Sequence, residues 1–328
     1  MRQIILRQPG EFISEMAAPP RPQPGQALVR IHRIGVCGTD LHAFAGRQPF
    51  FSYPRILGHE LGVEVLELPP GTPALRPGDR CAVEPYLSCG ACHACGLGKT
   101  NCCEKLQVLG VHTDGGMRGL LALPVETLHR SERLSYDQLA LVETLGIGAH
   151  AVQRSGLRPG EEVLIVGAGP IGLAVLQFAQ VAGGRVRVLD VSPTRRAFVE
   201  QRFGVTALAE PDGRLAEVVF DATGSAAAMQ ASFQYVAHGG RLVFVGLVQG
   251  SISFDDPLFH RRELTLLASR NSCGDFPRII GMIENGAIDT TPWVTHRLPL
   301  AEVPRAFAGL PQQAGLVKAV VEVDDADA

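Results

Sequence analysis

Four cysteines within 15 residues constrain this chain more than any other feature of its sequence. Cys89, Cys92, Cys95 and Cys103 form the run C-x2-C-x2-C-x7-C. A disulfide needs separated and suitably aimed Cβ atoms, so these thiols cannot all pair with one another without severe strain. Four thiolates around a tetrahedral Zn²⁺ satisfy the spacing, and a site with four protein ligands is closed and therefore structural. The sequence thus predicts a structural zinc site, with redox-active cysteine as the alternative.

The segment around these cysteines, about residues 86–106, predicts a small lobe that folds around the metal. It is rich in small residues and has no apolar core of its own, so we expect zinc to supply its folding energy. Two further residues interleave with the four ligands. We expect His93 to point outward, and Cys102 to be a spare thiol that is easily confused with Cys103.

The composition indicates a two-domain protein of the cytoplasm. The chain has 328 residues, a net charge of -3 and no cluster of lysine and arginine, which argues against a nucleic-acid partner. Its first residues lead into a strand and lack the apolar region of a signal peptide. The apolar stretch 163–181 approaches the length of a membrane span, but glycine and proline interrupt it, so we predict no membrane association. Eight cysteines, at least four of them spaced for metal, suit a reducing cytoplasm.

Hydrophobic patterning divides the chain into two kinds of structure. Up to about residue 145, apolar strands at 27–34, 62–68 and 80–83 alternate with turns rich in proline and glycine. Beyond that point strands alternate with helices, which predicts a parallel sheet with right-handed crossovers. The predicted strands are 162–166, 185–190, 218–221, 241–245 and 263–268. The predicted helices are 170–182 and 193–203, the second opened by Ser192 as N-cap and by Pro193.

The tail of the chain is predicted to return to the first domain. From about residue 274 it holds one helix, a segment broken by proline and a last strand at 316–323. The predicted domains are therefore 1–145, 146–273 and 274–328, with the last completing the first around an inserted α/β unit.

A glycine-rich loop marks the predicted dinucleotide site of this α/β unit. Its motif, G-x-G-x-x-G, contains Gly167, Gly169, Pro170, Ile171 and Gly172. The motif alone is weak and also fits a purely structural turn, but here it follows an apolar strand, opens a helix and is followed by Asp190 after the next strand. A pyrophosphate would lie at the helix N-terminus, where free N–H groups favour an anion. Thr223 and Gly246 follow later strands, at the edge where ligands of open α/β sheets lie.

The residues after the second strand of this unit favour NAD over NADP. The Asp190 carboxylate would accept hydrogen bonds from the adenosine ribose hydroxyls and would repel a 2′-phosphate. Arg195 and Arg196 act in the opposite direction, since a nearby arginine accommodates that phosphate. We predict NAD as the cofactor, with Arg195 beside it.

A second set of metal-binding residue types occurs in the first domain. Cys37, Thr39, Asp40 and His42 belong to C-G-T-D-L-H, and His59 and Glu60 belong to G-H-E. A thiolate, an imidazole and a carboxylate make a three-ligand zinc set whose fourth position stays open, as a catalytic site requires. Each residue alone is a weak signal, since a lone cysteine or histidine is usually structural. Their presence beside a zinc lobe and a dinucleotide fold predicts a catalytic zinc.

Taken together, these motifs resemble those of the zinc-dependent medium-chain dehydrogenases. The similarity covers C-G-T-D-x-H, G-H-E, the four-cysteine lobe, the turn 114–116 and G-x-G-x-x-G with its acid. Within that family, segments 46–60 and 100–105 are similar to the sorbitol and sugar-acid branch. The resemblance implies an α/β protein in which a Rossmann doubly wound parallel-sheet domain is inserted in a mostly-β, GroES-like catalytic domain. It also implies two zinc ions per chain and NAD.

The resemblance assigns ligands to the catalytic zinc. Cys37 and His59 would bind it, with Glu60 as the third ligand or as a nearby swinging carboxylate. The alcohol branch uses a further cysteine near the start of the second domain, but this chain has none at 104–272. Glu143 occupies the position used by the sorbitol branch and would hold the metal directly or through water.

The resemblance also assigns residues around the zinc. Asp40 would orient the ligand His59. Thr39 would pass the substrate proton toward a ribose hydroxyl of the cofactor and His42, which would deliver it to solvent.

The implied reaction is oxidation of a secondary alcohol in a polyol or in a sugar acid similar to L-galactonate. Phe50 and Phe51 would wall the substrate pocket or belong to the core. Arg47 or Arg270 would pair with a substrate carboxylate, with Asn271 as the alternative, and Arg270 is also a candidate cofactor contact. The alternative enzyme is a simple alcohol or threonine dehydrogenase, and a catalytically dead dinucleotide-binding sensor is the alternative from another class. We expect a homodimer or homotetramer.

Overall fold

The computed structural model describes residues 1–48 and 51–328, which divide into two compact units. The first unit comprises Met1–Glu143 and Phe276–Ala328, and the second comprises Thr144–Asp275. The chain therefore leaves the first unit, builds the second and returns. The boundaries expected from the sequence, 145/146 and 273/274, each lie two residues from those of the units.

The first part of the first unit consists mostly of strands. They are β1 (Arg2–Gln8), β2 (Glu11–Met16), β3 (Gln26–Gly35), β4 (Glu60–Glu67), β5 (Arg80–Val83), β6 (Tyr86–Leu87), β7 (Gln107–Val108), β8 (Leu120–Pro124) and β9 (Leu128–Ser131). The helices are α1 (Gly38–Phe44) and α2 (His93–Gly96), and α3 (Tyr136–Ser155) continues into the second unit.

The second unit alternates strands and helices. Its strands are β10 (Glu162–Val166), β11 (Arg185–Leu189), β12 (Thr206–Leu208), β13 (Ala216–Asp221), β14 (Val236–Phe244) and β15 (Thr265–Ala268). Its further helices are α4 (Pro170–Val181), α5 (Pro193–Phe203), α6 (Ala226–Ser232) and α7 (Asp256–Arg261). The strands form a parallel sheet in the order β12-β11-β10-β13-β14-β15, which confirms the predicted α/β unit.

The C-terminal segment completes the sheet of the first unit. It contains α8 (Phe276–Glu284), β16 (Val294–Pro299), α9 (Val303–Ala306) and β17 (Lys318–Glu322). β17 pairs antiparallel with β3, in a sheet of order β16-β17-β3-β4-β5-β9 to which β8 adds beside β3. The neighbouring strands β17, β3 and β4 therefore lie side by side, although they are far apart in sequence.

Each unit is built around its own apolar core. In the first, Ile4, Val29 and Val63 belong to one buried cluster that also takes in side chains of β17. In the second, all four residues 163–166 of β10 are buried, as expected for a strand covered on both faces. Full burial of one such side chain contributes about 1.5–3 kcal/mol.

The structure adds β12, α6 and α7 to the predicted elements and begins β14 five residues earlier than predicted, and two further corrections have a local cause. The sequence prediction omitted α3, although Ser135 and Gln138 form a capping box at its start: the Gln138 N–H donates to Ser135 Oγ and the Ser135 N–H donates to Gln138 Oε1, at 3.3 and 3.0 Å. The strand predicted at 263–268 begins only at Thr265, because Glu263 has a φ of 49° and cannot continue a strand.

The apolar stretch 163–181 forms a strand, a loop and a helix, as predicted, with β10 ending at Val166 and α4 beginning at Pro170. None of the helices described combines the length and the hydropathy that a membrane crossing requires. The second predicted helix, α5, begins with Ser192 as N-cap, whose Oγ accepts a hydrogen bond from the N–H of Arg195.

Candidate active site and metal centres

The four cysteines of the predicted lobe come together in the first unit. The sulfur atoms of Cys89, Cys92, Cys95 and Cys103 all lie within 4.8 Å of one another. The Sγ atoms of Cys92 and Cys95 are 3.5 Å apart, well beyond an S–S bond of about 2.05 Å, and the cysteines are free thiols. The group therefore has the spacing of metal ligands and not of a disulfide.

The backbone around these sulfurs favours thiolates. The N–H groups of Cys89 and Lys105 donate to Sγ of Cys103, at 3.2 and 3.4 Å. The N–H groups of Glu104 and Cys95 lower the pKa of the Cys92 thiol to about 6, whereas burial and the neighbouring thiols raise the pKa of Cys95 to about 11, so its thiolate needs a metal beside it. Because the thiolate is the form that binds metal, the donors of the lobe fit zinc.

The lobe has little apolar packing to hold it without a metal. Helix α2 buries none of its residues, and the 3-10 turn Thr100–Cys102 buries only Asn101. Cys102 is exposed and lies outside the sulfur group, whereas Cys103 is buried inside it. His93 is exposed, as expected.

A second group of donors in the first unit consists of Cys37, His59 and Glu60. Their ligand atoms also lie within 4.8 Å of one another, and His59 and Glu60 are buried. Cys37 comes directly before α1, and His59 and Glu60 stand at the start of β4. The three residues supply sulfur, nitrogen and oxygen, the donor set of a catalytic zinc with an open position.

The loop that carries His59 is fixed by the turn predicted from D-G-G. The N–H groups of Gly115 and Gly116 donate to the carbonyls of Ile56 and Gly58, at 2.7 and 2.8 Å. The side chain of Asp114 accepts a hydrogen bond from the Ile56 N–H at 3.1 Å. This turn therefore holds the backbone directly before the two ligands.

Asp40 touches two of the three donors. Its Oδ2 accepts a hydrogen bond from the Cys37 N–H at 2.9 Å, and its Oδ1 lies 3.8 Å from Nδ1 of His59. Burial raises the pKa of Asp40. Burial lowers the pKa of His59, but the charges of Asp40 and Cys37 outweigh it and raise that pKa well above its usual value. Because Nδ1 faces Asp40, Nε2 is the nitrogen available to a metal.

Glu60 is held by a buried lysine. Nζ of Lys318 donates to Oε1 of Glu60 at 2.5 Å, and both side chains are almost fully buried. Oε2 accepts no hydrogen bond from the described part of the chain, and it lies over Gly35, where an added Cβ would come within 1.9 Å of it. Glycine therefore leaves room for the carboxylate, and Oε2 is the oxygen available to a metal.

Glu143 does not belong to the three-donor group. It is buried in α3, and its Oε1 accepts a hydrogen bond from the hydroxyl of Tyr86. Its charge still contributes to raising the pKa of His59. Direct ligation of zinc by Glu143 stays a prediction, and the structure gives this carboxylate a tyrosine partner.

The predicted proton relay lies on α1. Thr39 and His42 are three residues apart, so they neighbour each other along one side of the helix. Thr39 is half-buried and His42 is exposed. His42 is therefore the member of the pair that is more accessible to solvent.

The predicted substrate residues of the first unit have different surroundings. Arg47 is exposed just after α1, and its backbone N–H donates to the His42 carbonyl at 2.8 Å. Phe51 packs against the apolar core, with its ring 4.8 Å from that of Tyr53, which favours its interpretation as a core residue. Phe50 lies outside the described residues.

The glycine-rich loop of the second unit connects β10 to α4. An added Cβ at Gly172 would lie 1.8 Å from the carbonyl oxygen of Gly167, so the helix can approach the loop only with glycine there. Gly169 is the N-cap of α4 and has open space beside it, and Pro170 and Ile171 form the first turn. This space at a helix N-terminus fits a pyrophosphate.

Asp190 follows β11 and faces the glycine-rich loop. Its Oδ2 accepts a hydrogen bond from the Ala168 N–H, and its Oδ1 from the Ser192 N–H, both at 2.7 Å. Nη1 of Arg195 lies 3.9 Å from Oδ2 of Asp190. Arg196 instead donates to the backbone carbonyls of Asp190 and Val191, at 2.8 and 3.0 Å. Arg195 is thus the arginine that faces this carboxylate.

Three further candidates follow adjacent parallel strands of the same sheet. Thr223 follows β13, and its N–H and hydroxyl donate to Oδ1 of Asp221, at 3.0 and 2.7 Å. Gly246 follows β14, and its N–H donates to the Asp221 carbonyl at 3.0 Å. Arg270 is exposed after β15, beside Asn271, which has a φ of 51°. The carboxyl edge of the sheet therefore gathers the predicted cofactor residues of this unit.

The sequence interpretation missed Tyr86, Lys318 and Gly35. Lys318 could have been identified from the sequence. It lies within the apolar strand 316–323, and a lysine in such a strand is rarely buried unless it is paired with a negative charge. Tyr86 and Gly35 carry none, since their importance depends on which carboxylates the fold places beside them.

Two family models match the chain. Residues 23–133 match the alcohol dehydrogenase GroES-like domain, and residues 170–285 match the zinc-binding dehydrogenase model. The chain is 41% identical over 320 residues to L-galactonate-5-dehydrogenase of Escherichia coli K12, with 94% of each chain covered.

Solved structures share the fold over nearly the whole length. The alcohol dehydrogenase RspB of Escherichia coli CFT073, solved with NADH, gives a TM-score of 0.92 at 25% identity and covers 98% of this chain and 99% of that one. A zinc-binding dehydrogenase of Sinorhizobium meliloti 1021, solved with NADP, gives 0.91 at 29% identity and covers 98% of each chain. With its two metal-donor groups and its glycine-rich loop, the chain belongs to the family of zinc-type medium-chain alcohol dehydrogenases.

Proposed function

We propose that this protein is a zinc- and NAD-dependent dehydrogenase that oxidises a secondary alcohol of a polyol or sugar acid, the latter similar to L-galactonate. The observation that carries the proposal is the group of Cys37, His59 and Glu60, whose donor atoms lie within 4.8 Å of one another and of which the last two residues are buried. The similarity to L-galactonate-5-dehydrogenase supports the substrate class.

The residues of this group fit zinc. Glu60 Oε2 is a buried carboxylate oxygen with no hydrogen-bond partner among the described residues, and Nε2 of His59 is left for a metal because Nδ1 faces Asp40. A cation beside them compensates the negative charges of Cys37 and Glu60. When bound, zinc supplies Lewis acidity toward an alcohol oxygen, and NAD supplies the hydride acceptor.

The residues of this chain then orient the site and move the proton. Asp40 orients His59 and holds the backbone of Cys37, and Lys318 holds one oxygen of Glu60. We assign to Thr39 the first transfer of the alcohol proton and to His42 its delivery to solvent, as their depths on α1 suggest.

The cofactor is proposed to be NAD. Replacing Asp190 with alanine removes an acceptor for the ribose hydroxyls and the repulsion of a 2′-phosphate, so the ratio of kcat/KM for NAD to that for NADP is expected to fall. A hydrogen bond to a charged group contributes about 1.5–3 kcal/mol, which corresponds to about a tenfold to hundredfold fall. Arg195→Ala is the reciprocal control and should weaken the use of NADP. A wild-type enzyme that prefers NADP would contradict the assignment.

The substrate carboxylate is proposed to pair with an arginine, for which Arg270 is the first candidate and Arg47 the second. Arginine matches a carboxylate with two parallel hydrogen bonds, and lysine keeps the charge but loses this fork. Arg270→Lys is therefore expected to raise KM for a sugar acid about tenfold more than KM for the matching neutral polyol. Steady-state kinetics with both substrates checks this, and Arg47→Lys is measured in parallel. Equal effects on both substrates would make Arg270 a cofactor or structural residue.

The proposed function is tested by an activity panel with zinc-replete protein and NAD. Sugar acids including L-galactonate, polyols, ethanol and threonine are compared by kcat/KM for NADH formation. A sugar acid or polyol is expected to give the highest value. If ethanol or threonine gives the highest kcat/KM instead, the assignment to polyol and sugar-acid substrates is wrong. If zinc is bound but no substrate yields NADH, the proposed activity is contradicted, and the dinucleotide-binding sensor is the hypothesis to test next.

We further propose that two zinc ions bind per chain, one to each donor group, and that the protein acts in the cytoplasm as a homodimer or homotetramer. The free thiols of the chain support a reducing compartment. Sedimentation velocity of the zinc-replete protein measures the assembly, and a monomer would contradict it.

A further inference from the structure

The hydrogen bond between Tyr86 and Glu143 links the base of the four-cysteine lobe to the candidate active site. Tyr86 lies in β6, three residues before Cys89, and its hydroxyl donates to Oε1 of Glu143. Both residues belong to the first unit. Neither the ligand set nor the proton path proposed above uses this contact.

Glu143 is a carboxylate that a metal would be expected to attract. It is buried, and its charge acts on His59. Glu143 nevertheless lies outside the group in which Cys37, His59 and Glu60 approach one another within 4.8 Å. The tyrosine hydroxyl is the hydrogen-bond donor that the structure gives to this carboxylate.

We infer that Tyr86 is a positioning residue that holds Glu143 outside the Cys37–His59–Glu60 group and so keeps the fourth coordination position of the metal open to substrate. The inference rests on the proposed function. A catalytic zinc needs an open position, and a fourth protein ligand closes the site and makes it structural. Without the Tyr86 hydroxyl, the Glu143 carboxylate has lost its hydrogen-bond donor. Binding to the metal would then compensate the buried negative charge of Glu143.

Tyr86 stands at the point where the chain enters the four-cysteine lobe. β6 pairs with β7 over two residues, Tyr86 with Val108 and Leu87 with Gln107. The four-cysteine segment lies between these two short strands, and α2 within it buries none of its residues.

The experiment compares wild type, Tyr86→Phe, Glu143→Gln and the double variant as zinc-replete full-length proteins. The rate at which a chelator removes the more labile zinc is measured, together with the visible spectrum after cobalt replaces that zinc. In Tyr86→Phe we expect zinc loss to slow by about tenfold. Residues that contact metal ligands without binding the metal themselves change metal affinity on this scale. We also expect a changed cobalt spectrum and a raised substrate KM. The double variant should lose zinc at the Glu143→Gln rate.

Two controls separate this role from a general loss of structure. Tyr136→Phe removes another tyrosine hydroxyl of the first unit, from a ring that packs against Arg80 and His32, and should leave the rate and spectrum unchanged. Glu143→Gln alone should also leave the cobalt spectrum unchanged, because Glu143 is not a ligand while Tyr86 holds it. This second test does not depend on the Tyr86→Phe variant folding.

Unchanged or faster zinc loss with an unchanged spectrum in Tyr86→Phe would overturn the inference while leaving the proposed function intact. A changed cobalt spectrum in Glu143→Gln alone would overturn it as well, since Glu143 would then be a ligand in the wild type. A wild-type protein that binds no second zinc would contradict the proposed function and the inference with it.

Discussion

Replacing Cys37 with alanine is expected to abolish turnover and leave the fold intact. Cys37 supplies the only sulfur of the three-donor group, so the variant should lose the metal of that group. Lewis-acid stabilisation by a metal is worth several kcal/mol, so kcat/KM should fall by about a thousandfold or more. The fold should survive because the hydrogen bond from residue 37 to Asp40 uses the backbone N–H, which alanine retains.

Steady-state kinetics and thermal unfolding of the same preparation check this prediction. Cys81→Ala is the matched control, because Cys81 is a buried thiol outside both donor groups and burial raises its pKa to about 12, which keeps it neutral. Cys81→Ala should retain turnover. A Cys37→Ala variant with undiminished kcat/KM would show that Cys37 is not required for the reaction.

The second large effect is expected in the four-cysteine lobe, where two adjacent cysteines should behave differently. Cys103→Ala removes a buried ligand of the sulfur group, whereas Cys102→Ala removes an exposed thiol outside it. Loss of a structural metal is one of the changes that lower the free energy of unfolding by about 4 kcal/mol or more. Because 1 kcal/mol corresponds to about 2–4 °C in a domain of 150–250 residues, Tm should fall by about 10 °C in Cys103→Ala.

The comparison uses the melting temperature and the zinc content of the two variants. Cys102→Ala should match the wild type in both. Since the two substitutions are chemically identical and adjacent, a general cost of losing a cysteine would affect both equally. Equal destabilisation of the two, or loss of zinc in Cys102→Ala, would mean that the lobe uses a different set of sulfurs.

The sequence was sufficient for the features that depend on short-range spacing. The four cysteines could be predicted to lie together because they are close to one another in the chain. The glycine-rich loop, with a strand before it and Ser192 and Pro193 opening the next helix, similarly predicted β10, α4 and α5. Helix α3 also had a local signal, its capping box, which the prediction overlooked.

The rest depends on contacts between distant parts of the chain. Lys318 reaches Glu60 across 258 positions because β17 and β4 flank β3, an arrangement that no local pattern specifies. The oxygen of Glu60 has room only because Gly35 is its strand neighbour. Glu143 was assigned to the metal by resemblance, and its tyrosine partner appears only when the base of the lobe is folded against α3.

The most direct test of the account is the number of zinc ions per chain, measured by elemental analysis of wild-type protein purified without chelators. The two donor groups predict two zinc ions, one bound by four sulfurs and the other by Cys37, His59 and Glu60. A single zinc that persists in Cys37→Ala, or no zinc after preparation with added metal, would contradict a catalytic metal in this chain.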